Sequence, residues 1–188
     1  MEAKVVYFKN PGKENTDAVM NIVRQCASEL GIKTVVVASY RGYTALKAVE
    51  ALSGLRIIIV SGFRDPSSEN LAQGISEEDK GFIESKGGTV YVATHLFSGL
   101  SGAIRKKFNT YVIGDIVAST LRIFGSGLKV TIEMAAMAAD AGLVRTDEDI
   151  IAVGGTRGGA DAAAVIRPAT SSNFFDLKVK KILCKPRL

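Results

Sequence analysis

The stretch KTVVVASYRGYTALKAVEALSGLRIIIVSG, residues 33–62, holds the pattern on which the fold turns. Its two ends, Lys33–Ala38 and Arg56–Gly62, are short, nearly continuous β-branched runs. That is the composition of strands covered on both faces, not of strands with one wet face. Between them, Thr44 to Leu52 carries its apolar residues at helical spacing. A buried strand, a helix and a second buried strand imply a crossover connection and a parallel pair.

The same alternation extends in both directions. Upstream, Val5 to Phe8 reads as a short strand, and the loop NPGKENT ends in Asn15 and Thr16, both good helix N-caps, with Asp17 in the first turn. Ala18, Ile22, Val23, Cys26 and Leu30 then recur at helical spacing until Gly31 stops the run. Downstream, Glu77 to Lys86 is helical and Thr89 to Thr94 is a strand. From Leu96 the pattern becomes a helix-rich insert, SGLSGAIRKKF and GDIVASTLRIFG. A helix of small residues follows from Lys129 to Ala141 and ends at Gly142. DIIAVGG is a further buried strand, and AAAVIRPA and DLKVKKIL form strands at one side of the sheet, the second alternating as an edge strand does. The expected fold class is α/β: a three-layer α/β/α arrangement around a mostly parallel sheet with antiparallel edge strands, in one domain over residues 1–188.

Composition narrows the function classes. Hydrophobic residues at 47% and charged residues at 23% suit a folded chain and exclude a disordered one. The formal charge of +5 is spread along the chain, with one dense basic stretch at Lys178–Arg187. No aromatic residues interleave with it, so nucleic acid is not an expected partner. MEAKVVYF has neither the basic nor the apolar segment of a signal peptide, and no apolar run is long enough to span a bilayer. The cytoplasm is the expected address, without a membrane partner, and a homo-oligomer stays open. Cys26 and Cys184 show neither metal-ligand spacing nor a redox pair, and no paired carboxylates mark a strand end, so no metal site is expected. Met134 and Met137, three apart on a helix, read as core.

In a parallel sheet, ligands sit outside the carboxyl ends of the strands, where helix N-termini point at them. Four turns there are rich in Gly, Ser, Thr and Arg: ASYRGYTA after Val37, SGFRDPSS after Val60, ATHLFSGLSG after Val92 and GGTRGGADAA after Val153. In the first, Ser39 and Thr44 offer hydroxyls and Gly42 a turn leading directly into a helix, either as a phosphate cradle or as a turn with Thr44 as N-cap. In the last, Gly154, Gly155, Gly158 and Gly159 surround Thr156 and Arg157, so the backbone can approach a ligand while Arg157 presents a planar fork. It matches neither the Walker A nor the GxGxxG spacing, and a plain mobile loop is the competing reading. Asp161 can cap the next element or hold a ligand hydroxyl. His95, the only histidine, lies just past a strand end, but sequence ties no carboxylate to it, so hydrogen bonding or ring stacking competes with acid–base work. Ser98 and Ser101 are further anion donors or turn residues.

Three segments, Thr16–Ala45, Ala138–Gly155 and GGTRGGADAAAVIRPA, resemble the C-terminal α/β domain of pyruvate kinase, as found in stand-alone archaeal proteins carrying that domain. The insert from Leu96 to Val130 has no clear counterpart there. The resemblance implies no kinase active site, which belongs to a separate barrel, but it does imply a phosphate pocket. Ser39, Gly42 and Thr44 fall on its phosphate-binding turn and Gly154–Gly159 on its effector loop, while Arg41 replaces the small hydroxyl residue usual before the glycine. With Tyr43, His95 and Phe97 at the same edge, the expected ligand is a phosphate bearing a planar ring, and flavin mononucleotide is the preferred cofactor. Whether a reaction is catalysed stays open; the alternatives are an enzyme acting on a sugar phosphate, with His95 as acid or base, and a regulatory module sensing a phosphorylated metabolite.

Overall fold

The structure, a computed structural model, describes residues 4–63 and 74–187. Seven strands form one sheet: β1 (Val6–Phe8), β2 (Thr34–Ala38), β3 (Arg56–Gly62), β4 (Thr89–Ala93), β5 (Ile150–Gly154), β6 (Ala162–Arg167) and β7 (Lys178–Pro186), in the spatial order β1-β7-β6-β5-β2-β3-β4. The strands β5, β2, β3 and β4 run parallel, β6 is antiparallel to both neighbours, and β1 pairs parallel with β7. The mostly parallel α/β sheet is thus as expected. The detail at one side differs: β7 is not outermost. β1 covers it from Cys184 to Pro186, and Phe8 O accepts from Arg187 N at 2.8 Å. Because β1 is only three residues long, the first half of β7 stays exposed, which produces its edge-like alternation.

Helices α1 (Thr16–Leu30), α2 (Tyr43–Ala51) and α3 (Glu77–Ser85) cover one face of the sheet, packing Val19, Val23, Ala48, Leu52 and Ile83 against Val35, Val37, Ile57, Ile59, Ile151 and Val153. The alternate residues Val36, Ile58, Val60, Ile150 and Ala152 face α6 (Ser126–Asp140). Each fully buried Val or Ile of this kind contributes about 1.5–3 kcal/mol relative to exposure. The run of alanines in α6 lets its backbone lie close to the sheet, so almost the whole helix is buried. Met134 and Met137 are core residues, as expected. The insert forms α4 (Gly99–Phe108) and α5 (Ile113–Arg122), with Leu121 touching the α6 side of the core. Gly31 and Gly142 adopt left-handed conformations at the ends of α1 and α6, φ 67° and 66°, where a side chain would be strained.

Two caps differ from expectation. Thr16 is the first residue of α1 and not its cap, because a 3₁₀ turn over Lys13–Asn15 leads into the helix. The Asn15 side chain donates to Asn10 O and Gly12 O instead of accepting from the helix. Thr44 lies within α2, whose N-cap is Gly42 at φ 88°, and the Ser39 hydroxyl receives Ala45 N at 3.2 Å.

Candidate functional site

The chain ends of β2 and β3, the turn after β4 and the loop after β5 enclose a cleft of about 600 Å³. Its lining includes Ser39, Arg41, Tyr43, Thr44, His95, Arg157, Gly158 and Gly159, so most of the expected residues converge on one space. Lys13, Tyr40, Val60, Val130 and Met134 also line it. Three cationic side chains, Lys13, Arg41 and Arg157, face this space, and among the described residues that line it there is no Asp or Glu. Lys13 Nζ lies 3.8 Å from the centre of the Tyr43 ring.

The remaining predicted residues act behind the wall. Gly42 is the turn residue; a Cβ there would stand 2.7 Å from Asp79 Oδ2. Gly154 lies against α6, where a Cβ would meet Gly127 O at 2.4 Å, and a Cβ on Gly155 would collide with Gly159 O. Thr156 contributes its N–H to Asp161 Oδ2 at 3.1 Å. These positions shape the glycine-rich loop, while Arg157, at φ 58°, is its only non-glycine residue in a left-handed conformation. Phe97 is buried in edge-to-face contact with Phe174, 5.4 Å between centres, and does not line the cleft. Ser98 and Ser101 belong to the start of α4 and also lie outside it. In the turn SGFRDPSS, Arg64 to Ser68 lie outside the described residues.

Asp161 is the pin that holds two loops together. Fully buried, its Oδ2 accepts from Thr156 N and, at 3.0 Å, from Gly12 N, 149 residues away in sequence. Burial pushes its carboxyl above the ordinary range, against the two N–H donors. Thr16 Oγ1 adds a second link, receiving Ala160 N at 3.1 Å and donating to Lys13 O at 2.7 Å. Gly159 permits the close approach, since a Cβ there would lie 2.3 Å from Lys13 Cα. Together these contacts carry Lys13 from the β1–α1 loop into the cleft. Sequence reasoning missed Lys13, because nothing local to NPGKENT shows which distant loop it joins.

His95 has a carboxylate behind it. Nδ1 lies 3.6 Å from Oε2 of Glu133, a fully buried residue of α6. The same Oε2 accepts from Lys129 Nζ at 2.5 Å, and Oε1 accepts from Phe97 N at 3.1 Å. Burial pushes the Glu133 carboxyl up, but His95, the Lys129 ammonium and the Phe97 N–H outweigh it and hold it at about 2. Glu133 is therefore ionised and fixed, and its carboxylate stands behind the imidazole at the cleft wall. The signal was present in KVTIEMAAMAA: two opposite charges four apart in an otherwise small, apolar helix. Gly62 makes room for the ring, since a Cβ there would stand 2.8 Å from His95 Nε2 and 3.1 Å from Tyr40 Cε2.

Both cysteines are buried away from this chemistry, and burial pushes the Cys184 thiol up to about 12. Among the described residues no three His, Cys, Asp or Glu side chains gather as metal ligands, and no helix is long and apolar enough to cross a membrane.

The family model of the pyruvate kinase alpha/beta domain matches residues 17–166. The chain belongs to this family. The pyruvate kinase alpha/beta domain match takes in α1 through β6 and thus most of the cleft, but it stops short of Lys13 on one side and β7 on the other. Among solved structures, a Cryptosporidium parvum pyruvate kinase in complex with ADP is similar at 13% identity and a TM-score of 0.43, over 81% of this chain and 23% of the kinase. A second C. parvum pyruvate kinase structure is similar at 14% identity and a TM-score of 0.42, over 81% of this chain and 22% of the kinase. This chain thus spans under a quarter of the length of those kinases.

Proposed function

We propose that the cleft binds a phosphate-bearing small molecule with a planar ring, flavin mononucleotide being the preferred ligand. The observation that carries this reading is the charge of the lining: Lys13, Arg41 and Arg157, with no carboxylate among the described lining residues, at the N-terminal end of α2. Free N–H groups at a helix start and guanidinium forks together favour a phosphate dianion. The apolar wall of Val60, Val130 and Met134 beside the rings of Tyr43 and His95 gives a ring system a dry surface. The same reading places the chain in the cytoplasm, where free thiols such as Cys26 and Cys184 persist.

Titration with flavin mononucleotide, followed by quenching of flavin fluorescence, tests the proposal. Arg157→Ala should weaken binding by about 1.5–3 kcal/mol, the value of a hydrogen bond to a charged group, and riboflavin, which lacks the phosphate, should bind more weakly by at least as much. Equal affinity for the two flavins, or no uptake of either, overturns it.

The Glu133–His95 pair supports a second reading, an enzyme acting on a sugar phosphate. A histidine with a buried carboxylate 3.6 Å from its Nδ1 has Nε2 left to move a proton. A His95→Ala variant that turns over sugar phosphates as fast as the parent would remove that reading while leaving the binding proposal intact.

A further inference from the structure

A second cavity, of about 240 Å³, lies where the insert helices α4 and α5 meet the start of α6. Asp115, Ser119 and Arg122 stand four and then three residues apart, which puts them on one face of α5, and that face lines the cavity. Arg105 of α4 and Lys129 of α6 line it from the other two helices, and Ser98 and Tyr111 add hydroxyls. No described residue lines both this cavity and the cleft, so what it binds does not depend on the function proposed for the cleft.

The two carboxylates beside the cavity are already matched by cations. Asp115 pairs with Arg105 and accepts from Val112 N at 3.3 Å, and Glu133 holds Lys129 at 2.5 Å. Arg122 has no ion pair among the described residues, so three cations stand against two carboxylates and one positive charge is left over. Lys129 is more than nine-tenths buried, with its ammonium 5.3 Å from the centre of the Phe97 ring, and one of its three N–H donors goes to Glu133. A buried ammonium with donors to spare, an unpaired guanidinium and three hydroxyls around one space call for acceptors, and a tetrahedral oxyanion presents them in several directions at once. The volume lies below the roughly 300 Å³ at which clefts for organic ligands begin, which suits an ion rather than a molecule with a carbon skeleton. We propose that this cavity is a second anion site, taking a small tetrahedral oxyanion of the inorganic phosphate class between Lys129 and Arg122.

The test is a titration of the full, isotope-labelled chain with sodium phosphate up to about 20 mM, followed by backbone amide shifts, with sodium chloride at matched ionic strength as the reference. Saturable shifts at Ser98, Tyr111 and Ser119 that chloride does not reproduce are the expected result. Arg122→Gln should weaken that binding about tenfold or more, the loss of one charge-assisted hydrogen bond. Arg122 is exposed, so the variant should keep the parent spectrum elsewhere, and since it lies outside the cleft, flavin mononucleotide affinity should match that of the parent. Shifts confined to the cleft residues Ser39–Thr44 and Arg157–Gly159, or no saturable shift at all, overturn the proposal and leave the cleft to its own titration. A folded Arg122→Gln variant that takes up phosphate as tightly as the parent overturns it as well.

Discussion

Replacing Lys129 with Met removes the closest partner of a buried carboxylate while keeping an unbranched side chain of similar length. Glu133 is held at about 2 against an ordinary value of 4.5. At 1.36 kcal/mol per pH unit, that difference amounts to about 3 kcal/mol of stability at pH 7, drawn from all its partners together. Lys129, with Nζ 2.5 Å from Oε2, is the nearest charged partner, and its loss leaves a buried carboxylate with only the Phe97 N–H and the His95 ring beside it. We expect Lys129→Met to lose about 3 kcal/mol at pH 7, a fall of about 6–12 °C in Tm for a chain of this size. The sign of the pH dependence is set by the lowered value. Unfolded Glu133 binds a proton near 4.5 and folded Glu133 only near 2, so the contribution is complete above about pH 5 and disappears as pH falls through that window. Urea melts of parent and variant, followed by far-UV circular dichroism at pH 7 and at pH 3, measure the gap. It should be largest at pH 7 and close markedly at pH 3. A gap of the same size at both pH values, or below about 1 kcal/mol at pH 7, would refute the assignment of Glu133 as an ionised residue held by Lys129.

Asp161→Ala should cost about 2–4 kcal/mol, because it leaves the Gly12 and Thr156 N–H groups unpaired in the interior, whereas Asp161→Asn, which keeps an acceptor oxygen, should cost clearly less; thermal melts compare them. Since burial raises the Asp161 carboxyl, its ionisation lowers stability as pH rises through its folded value, and that slope should vanish in Asp161→Asn. Gly159→Ala should separate the glycine-rich loop from the Lys13 backbone, seen as faster amide hydrogen exchange at Gly12–Thr16 together with weaker flavin mononucleotide binding; unchanged exchange would show that the two loops are not held by that contact. Arg157→Gly should lose ligand affinity as Arg157→Ala does, yet be the more stable of the two by about 1 kcal/mol, because glycine accepts φ 58° without strain.

Sequence alone was sufficient for most of what is local. Strand and helix periods are set by neighbours within a turn or two, so residues 33–62 already show β2, α2 and β3, with β3 at its observed bounds. Gly31 and Gly142 mark helix ends because the left-handed conformation is a property of the residue itself. The rule that ligands gather at the carboxyl ends of parallel strands was enough to bring Ser39, Arg41, His95 and Arg157 to one edge. Tertiary structure decided whatever depends on which distant segments meet. That β1 pairs outside β7, that Asp161 holds Gly12, and that Lys13 thereby reaches the cleft are consequences of contacts spanning most of the chain, for which no local pattern exists. Glu133 was visible as a charge in an apolar helix, but its place behind His95 depends on how α6 crosses the sheet. Phe97 was drawn inward by Phe174 from a position adjacent in sequence to the cleft. Backbone period is a short-range quantity, whereas the company a side chain keeps is fixed only when the layers close.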